Sequence, residues 1–116
     1  MADIVCIGEP LGEFNATRGQ GGEYRFGNGG DTSNCAIAAA RMGARTGYLS
    51  QLGDDRFGDA LLALWQREGV ATEGVARVPG AQTAVYFVHH DARGHHFTYR
   101  RASSAASRMS KPYSAT

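Results

Sequence analysis

Residues 3–8, DIVCIG, form an almost unbroken apolar run that ends on glycine. Without an alternating polar side, such a run suits a strand covered on both faces, as strands of parallel sheets are. The next segments fit that arrangement. Thr32 or Ser33 can cap a helix that runs to about Met42, with Gly43 as its stop. Residues 45–53, RTGYLSQLG, read as the next strand. Asp55 can cap a second helix in which Phe57, Ala60, Leu61 and Leu64 fall at i, i+3, i+4 and i+7, giving one apolar face before Gly69. The order strand, helix, strand, helix predicts an α/β fold of parallel strands joined by crossover helices.

Beyond residue 80 the pattern changes. TAVYFVHH (83–90) and HHFTYRR (95–101) are two strands around DARG, a turn signal. Ala84, Tyr86 and Val88 share one face of the first strand; Phe97, Tyr99 and Arg101 share one face of the second. GEYRFGN (22–28) reads as a short strand after the polar, glycine-rich NATRGQGG. Residues 108–116, RMSKPYSAT, read as an irregular polar tail, and no internal repeat is visible.

The length, 116 residues, suits one domain. Hydrophobic content of 42% and charged content of 20% are ordinary for a globular chain. The net charge of +1 carries no basic block, so no nucleic-acid partner is expected. No stretch approaches a membrane span, and the opening run lacks the basic lead of a secretory signal. Cys6 and Cys35 make no disulfide framework or zinc spacing, and the Asn15–Thr17 sequon carries little meaning without a signal peptide. These features predict a reduced, cytoplasmic protein.

The segment GNGGDTSN, residues 27–34, poses the functional question. The dinucleotide spacing G-x-G-x-x-G fails, because Thr32 stands where its third glycine would be. No lysine comes after it, so a P-loop fails too. The glycines can serve a turn alone, with Gly29 and Gly30 letting strand and helix approach. A helix start is also a ready polar site. Asp31 and Asn34, in the first turn, would project near one mouth. Asp31 only accepts hydrogen bonds, whereas Asn34 donates and accepts, a pair that suits a polyhydroxyl ligand. Asp31 can equally be the N-cap.

From IVCIGEP to SAAS the chain resembles the ribokinase-like (PfkB-type) carbohydrate kinases. The resemblance rests on G-G-D-x-x-N, the small-residue helix after it, and LGDDRFG opening the next helix, in that order. It implies the N-terminal part of a three-layer α/β/α fold with a small β-lid hairpin. Within the family, GGDTSN and FTYRRASSAAS are most similar to the kinases of the sugar acid 2-keto-3-deoxygluconate. That similarity implies ATP-dependent phosphorylation at the terminal hydroxyl, with Mg in the full-length enzymes. It implies that Gly29, Gly30, Asp31 and Asn34 face the sugar hydroxyls, joined by Tyr86, Tyr99 and Arg101 from the lid strands. The residues agree on one point: Tyr99 and Arg101 share a strand face, and arginine suits a carboxylate by bidentate pairing. Ordinary cross-strand aromatics on a surface hairpin are the plain reading of the same residues. Glu9 and Glu13 come after the first strand, where α/β folds place ligand contacts, and neither is assigned a catalytic role.

His89, His90, His95 and His96 invite a metal reading. Adjacent histidines in a strand point to opposite faces, so at most two converge, and a solvated hairpin tip is the better reading. Family members are much longer, and their anion hole, catalytic aspartate and nucleotide pocket have no counterpart here. The resemblance therefore implies residues 1–116 as a truncated kinase domain, inactive alone. A parallel sheet without its later strands would leave an open edge and uncovered apolar faces. Two alternatives are a kinase fragment for a neutral sugar (ribose, fructose or a nucleoside) and a non-catalytic binding module that dimerises through its lid strands.

Overall fold

The computed structural model describes residues 2–17 and 22–109. Two sheets make up the molecule. The first is parallel, in the order β1 (Ile4–Ile7), β4 (Thr46–Gly53), β5 (Val75–Val78). Ile4 lies opposite Thr46 and Ile7 opposite Leu49; further along β4, Ser50 lies opposite Val75. The second sheet has the order β3 (Tyr24–Gly29), β2 (Leu11–Ala16), β6 (Val85–Asp91), β7 (Gly94–Arg100). Its central pair, β2 with β6, is parallel, and both outer pairs are antiparallel. The helices α1 (Asp31–Arg41) and α2 (Arg56–Arg67) come after β3 and β4 respectively. This is the α/β lid-bearing architecture expected from the sequence.

The core lies under the parallel sheet, where Cys6, Tyr48 and Leu52 meet Ala36, Leu61 and Trp65. Trp65 meets Tyr48 edge-on at 4.6 Å between ring centroids. Its indole Nε1 donates to Ser33 Oγ at 2.8 Å, so the one polar atom of the buried indole has a partner. Thr32 and the Tyr48 hydroxyl bond at 2.7 Å, and burial pushes the Tyr48 phenol up to about 12.

These contacts correct one expectation. Neither Thr32 nor Ser33 caps α1, because both hydroxyls are turned into the core. Asp31 is not the cap either. The helix begins at Asp31, and Gly30 is the N-cap, with φ 103° and no side-chain cap bond. At the far end Met42 and Gly43 (φ 96°) stop the helix as expected.

Asp55 does cap α2. Its Oδ1 accepts from Gly58 N at 2.8 Å, and its Oδ2 accepts from Thr83 N at 2.9 Å, just before β6. Burial pushes this carboxyl up, but the Thr83 and Gly58 amides outweigh it and hold the pKa below the usual range. A depressed folded pKa gives stability that is full above the unfolded value, near 4, and is lost as pH falls through the folded one. Asp55→Ala is expected to lose roughly 1–2 kcal/mol at pH 7. In urea melts the gap to the parent chain narrows at pH 3.

Two strands carry no clear signal in the sequence: β2, between the DIVCIG strand and the glycine-rich loop, and β5, between Gly69 and the lid hairpin. A second correction concerns β1. Only Cys6 of this strand is buried; Ile4, Val5 and Ile7 are exposed. The core lies on the Cys6 side only, so the strand is not covered on both faces as the apolar run alone suggests. β1 is an edge strand of this three-stranded sheet. Ala106–Arg108 form a short 3-10 turn that runs into the first residue of the tail. Residues 110–116, and 18–21 of the glycine-rich loop, lie outside the described residues.

Candidate sugar-binding cleft

The C-terminal end of β3 delivers the chain to α1 through Gly30, and this junction is built for glycine. A Cβ at Gly30 would sit 2.8 Å from the Glu9 carbonyl oxygen, and φ is in the left-handed region. Gly29 is constrained from the other side. A Cβ there would lie 2.6 Å from Cε1 of Tyr86 and overlap its hydroxyl. The bare backbone at Gly29 leaves room for the hydroxyl end of the Tyr86 ring, which reaches over β2 to Glu13.

Tyr86 OH donates to Glu13 Oε2 at 2.6 Å. Burial and this carboxylate push the phenol above its ordinary value, so Tyr86 stays protonated. Cross-strand register puts Tyr86 opposite both Glu13 and Tyr99. The Tyr86 and Tyr99 rings stack at 5.6 Å, and the Arg101 guanidinium lies 5.0 Å from the centre of the Tyr99 ring. Arg101 is thus carried on an aromatic shelf with its donors toward water.

These elements enclose a cleft of about 380 Å³. Asp31, Thr32 and Asn34 come from the start of α1, Glu9 from the β1–β2 link, and Tyr86, Tyr99 and Arg101 from the lid. Of the sequence-predicted residues, Gly30, Asp31, Asn34, Tyr86, Tyr99 and Arg101 line it. Gly29 stands behind Tyr86 instead. Glu9, noted in the sequence as lying where ligand contacts fall, also lines the cleft, as do Thr32 and Phe97, which the sequence reading does not assign to the site. Glu9 is held in place from the end of the lid, where Ser104 Oγ donates to its Oε2. Ser104 itself comes after Ser103, a non-glycine residue at φ 62°. A glutamate directly after a strand-end glycine is the available signal for Glu9; nothing local marks Ser104.

The cleft offers two carboxylates, one amide and one guanidinium. That set matches a small molecule with several hydroxyls and one negative group. It does not fit a nucleotide triphosphate with its metal. Glu9 and Asp31 would repel the phosphates, Arg101 alone opposes them, and no group of three His, Cys, Asp or Glu among the described residues could hold a metal ion.

The histidines find local partners. His90 bonds Asn15 at 2.6 Å and His95 at 2.8 Å, His96 pairs with Asp91 at 2.9 Å, and His89 meets the Tyr24 hydroxyl at 3.1 Å. Adjacent histidines do split between the two faces.

Residues 1–113 match the pfkB family carbohydrate kinase pattern. The chain belongs to this family. The 2-dehydro-3-deoxygluconokinase of Dickeya dadantii is 33% identical over 110 residues, covering 91% of this chain and 34% of that protein. Among solved structures, a PfkB protein from Polaromonas superposes with a TM-score of 0.92 at 29% identity, over 97% of this chain and 40% of the other. A fructokinase from Xylella fastidiosa with bound ATP superposes with a TM-score of 0.86 at 29% identity, over 97% and 37%. The chain spans about a third of the length of the curated relatives it matches. Among the described residues no helix is long and apolar enough to cross a membrane.

Proposed function

We propose that this chain forms the sugar end of a kinase that transfers phosphate from ATP to the terminal hydroxyl of a sugar acid, 2-keto-3-deoxygluconate foremost. The observation that carries the reading is Arg101, held over Tyr99 in a cleft that Asp31 and Asn34 also line. The guanidinium takes the substrate carboxylate, Asp31 and Asn34 take hydroxyls, and Gly29 and Gly30 give the backbone room for this arrangement. Tyr86 and Tyr99 form the apolar side against the carbon chain. The Dickeya relative's name supports the same substrate.

Phosphoryl transfer needs in-line positioning, charge neutralisation and an acceptor for the hydroxyl proton. In this reading those parts, with ATP and Mg, belong to sequence outside the segment, and the segment alone is inactive. A cytoplasmic location goes with it, in keeping with two free thiols and an ATP-dependent reaction. The fructokinase neighbour favours a second reading, in which the cleft takes a neutral sugar.

Arg101→Leu separates the two. By calorimetry on the purified chain, the variant is expected to lose at least tenfold in affinity for the keto acid, about 1.4 kcal/mol, with no change for fructose. Equal affinity of parent and variant for the keto acid, or selective binding of fructose by the parent, would reject the sugar-acid reading.

A further inference from the structure

The two cysteines lie far apart in the sequence and side by side in the fold. Cys6 is buried on the helix side of β1, in the cluster that holds Ala36, Tyr48 and Trp65. Cys35 is exposed, in α1, one residue before Ala36. Its thiol lies close enough to the Cys6 thiol for the two to act on each other directly.

The backbone accounts for this meeting. Gly8 comes two residues after Cys6 and so lies on the same side of the chain. A Cβ on Gly8 would lie 2.7 Å from Thr32 Cγ2 and overlap the Thr32 hydroxyl, so α1 begins in close contact with the end of β1. From there the helix runs back along the strand and brings Ala36 into the cluster of Cys6. Thr32 and Cys35, three apart, share one side of the helix. Three residues of helix advance about 4.5 Å and two of strand about 6.6 Å, so Cys35 comes over Cys6 much as Thr32 comes over Gly8. Ala36 is small and fully buried, so no bulky side chain holds helix and strand apart at this level.

The two thiols differ in character. Burial first, and Cys35 beside it second, push the Cys6 thiol above its ordinary value, so it stays protonated at neutral pH. Cys35 alone is open to a reagent in solution. Neither lines the cleft, but Asn34, the residue before Cys35, does.

We propose that Cys6 and Cys35 are a redox-responsive pair, which a small-molecule disulfide RSSR converts into a reversible bond tying α1 to β1. Cys35, as thiolate, attacks one sulfur of RSSR and releases RS⁻. Cys6 then attacks the Cys35 sulfur of the mixed disulfide and releases the second RS⁻. The two cysteine protons end on the two released thiolates. The pair gives up two electrons, and RSSR is reduced to two RSH. The new bond closes a loop from residue 6 to residue 35 that contains β2, β3 and the Gly30 junction. The proposal does not depend on which sugar the cleft takes, or on its taking one.

The test equilibrates the purified chain in buffers of graded reduced and oxidised glutathione, quenches with acid, alkylates the remaining thiols in denaturant and weighs the product by mass spectrometry. The parent is expected to pass in one transition from two alkylated thiols to none, lighter by two hydrogens and free of glutathione. The equilibrium constant for this oxidation is expected to be at least tenfold larger for the folded chain than for the chain in urea, because the fold raises the effective concentration of one thiol at the other. Cys6→Ser is expected to stop at a single glutathione adduct. Cys35→Ser is expected to react at least tenfold more slowly than the parent while folded, since its one thiol is buried. The proposal is overturned if the folded parent stops with glutathione on Cys35, if the bond forms between chains, if folded and unfolded chains oxidise with equal constants, or if Cys35→Ser reacts as fast as the parent.

Discussion

Trp65→Ala is expected to leave no folded population at room temperature. The indole is fully buried, packs on Tyr48 and satisfies its N–H on Ser33. Removing a buried aromatic of this size loses about 3–5 kcal/mol through lost transfer energy and an unfilled cavity. Ser33 Oγ would also lose its donor in a place closed to water, a further ~1–3 kcal/mol. A domain of this size has roughly 5–15 kcal/mol in total, and one with a bare sheet face belongs at the low end. Circular dichroism and urea melts give the outcome directly. Trp65→Phe keeps most of the packing and loses the hydrogen bond, so it should unfold at lower urea but still cooperatively. A cooperative melt for Trp65→Ala within about 1 kcal/mol of the parent, the size of an ordinary surface change, would mean that α2 is not anchored through this ring.

Gly30→Ala is expected to abolish binding at the cleft while the parallel sheet survives. At φ 103° an L-residue is strained by about 1–3 kcal/mol, and the new Cβ would press on the Glu9 carbonyl at 2.8 Å. That carbonyl belongs to the β1–β2 link, so relief of the clash moves Glu9 or the start of α1. Either shift displaces Asp31 and Asn34 from a cleft whose contacts need sub-ångström placement. The readout is a thermal melt lowered by several degrees together with loss of sugar binding by calorimetry. Unchanged binding would show that the ligand does not use the α1 start.

Periodicity and caps make much of this architecture legible in the sequence. The period-3.6 face of Phe57, Ala60, Leu61 and Leu64, and the aspartate before it, locate α2 and its cap. The two alternating runs around DARG locate the lid hairpin and put Tyr99 and Arg101 on one face; that Tyr86 joins them is set by the pairing of β6 with β7. β2 is hidden because LGEFNA runs directly into a polar, glycine-rich stretch and takes its strand identity from long-range pairing with β3 and β6. β5, VARV, is too short to show a period and owes its register to β4. The α1 cap is misplaced in a reading by sequence because hydroxyl residues near a helix start look alike there. Only the fold shows that Thr32 and Ser33 serve Tyr48 and Trp65. Glu13 stands out by position, but its hold on Tyr86 joins residues from different strands, which no local pattern encodes.

The pairing of β1 with β4 and of β2 with β6 has a consequence for how the chain is made. Each partner is translated long after the first strand. At roughly 5–20 residues per second, β1 waits seconds for β4, and β2 waits longer for β6. Throughout that interval the apolar β1 segment is out of the ribosome without its partner, whereas β2 can already pair with β3. Neither sheet can be completed early, so this segment acquires its full shape late. Its yield in the cell should then respond to holdase chaperones and to growth temperature more than to small changes at the cleft.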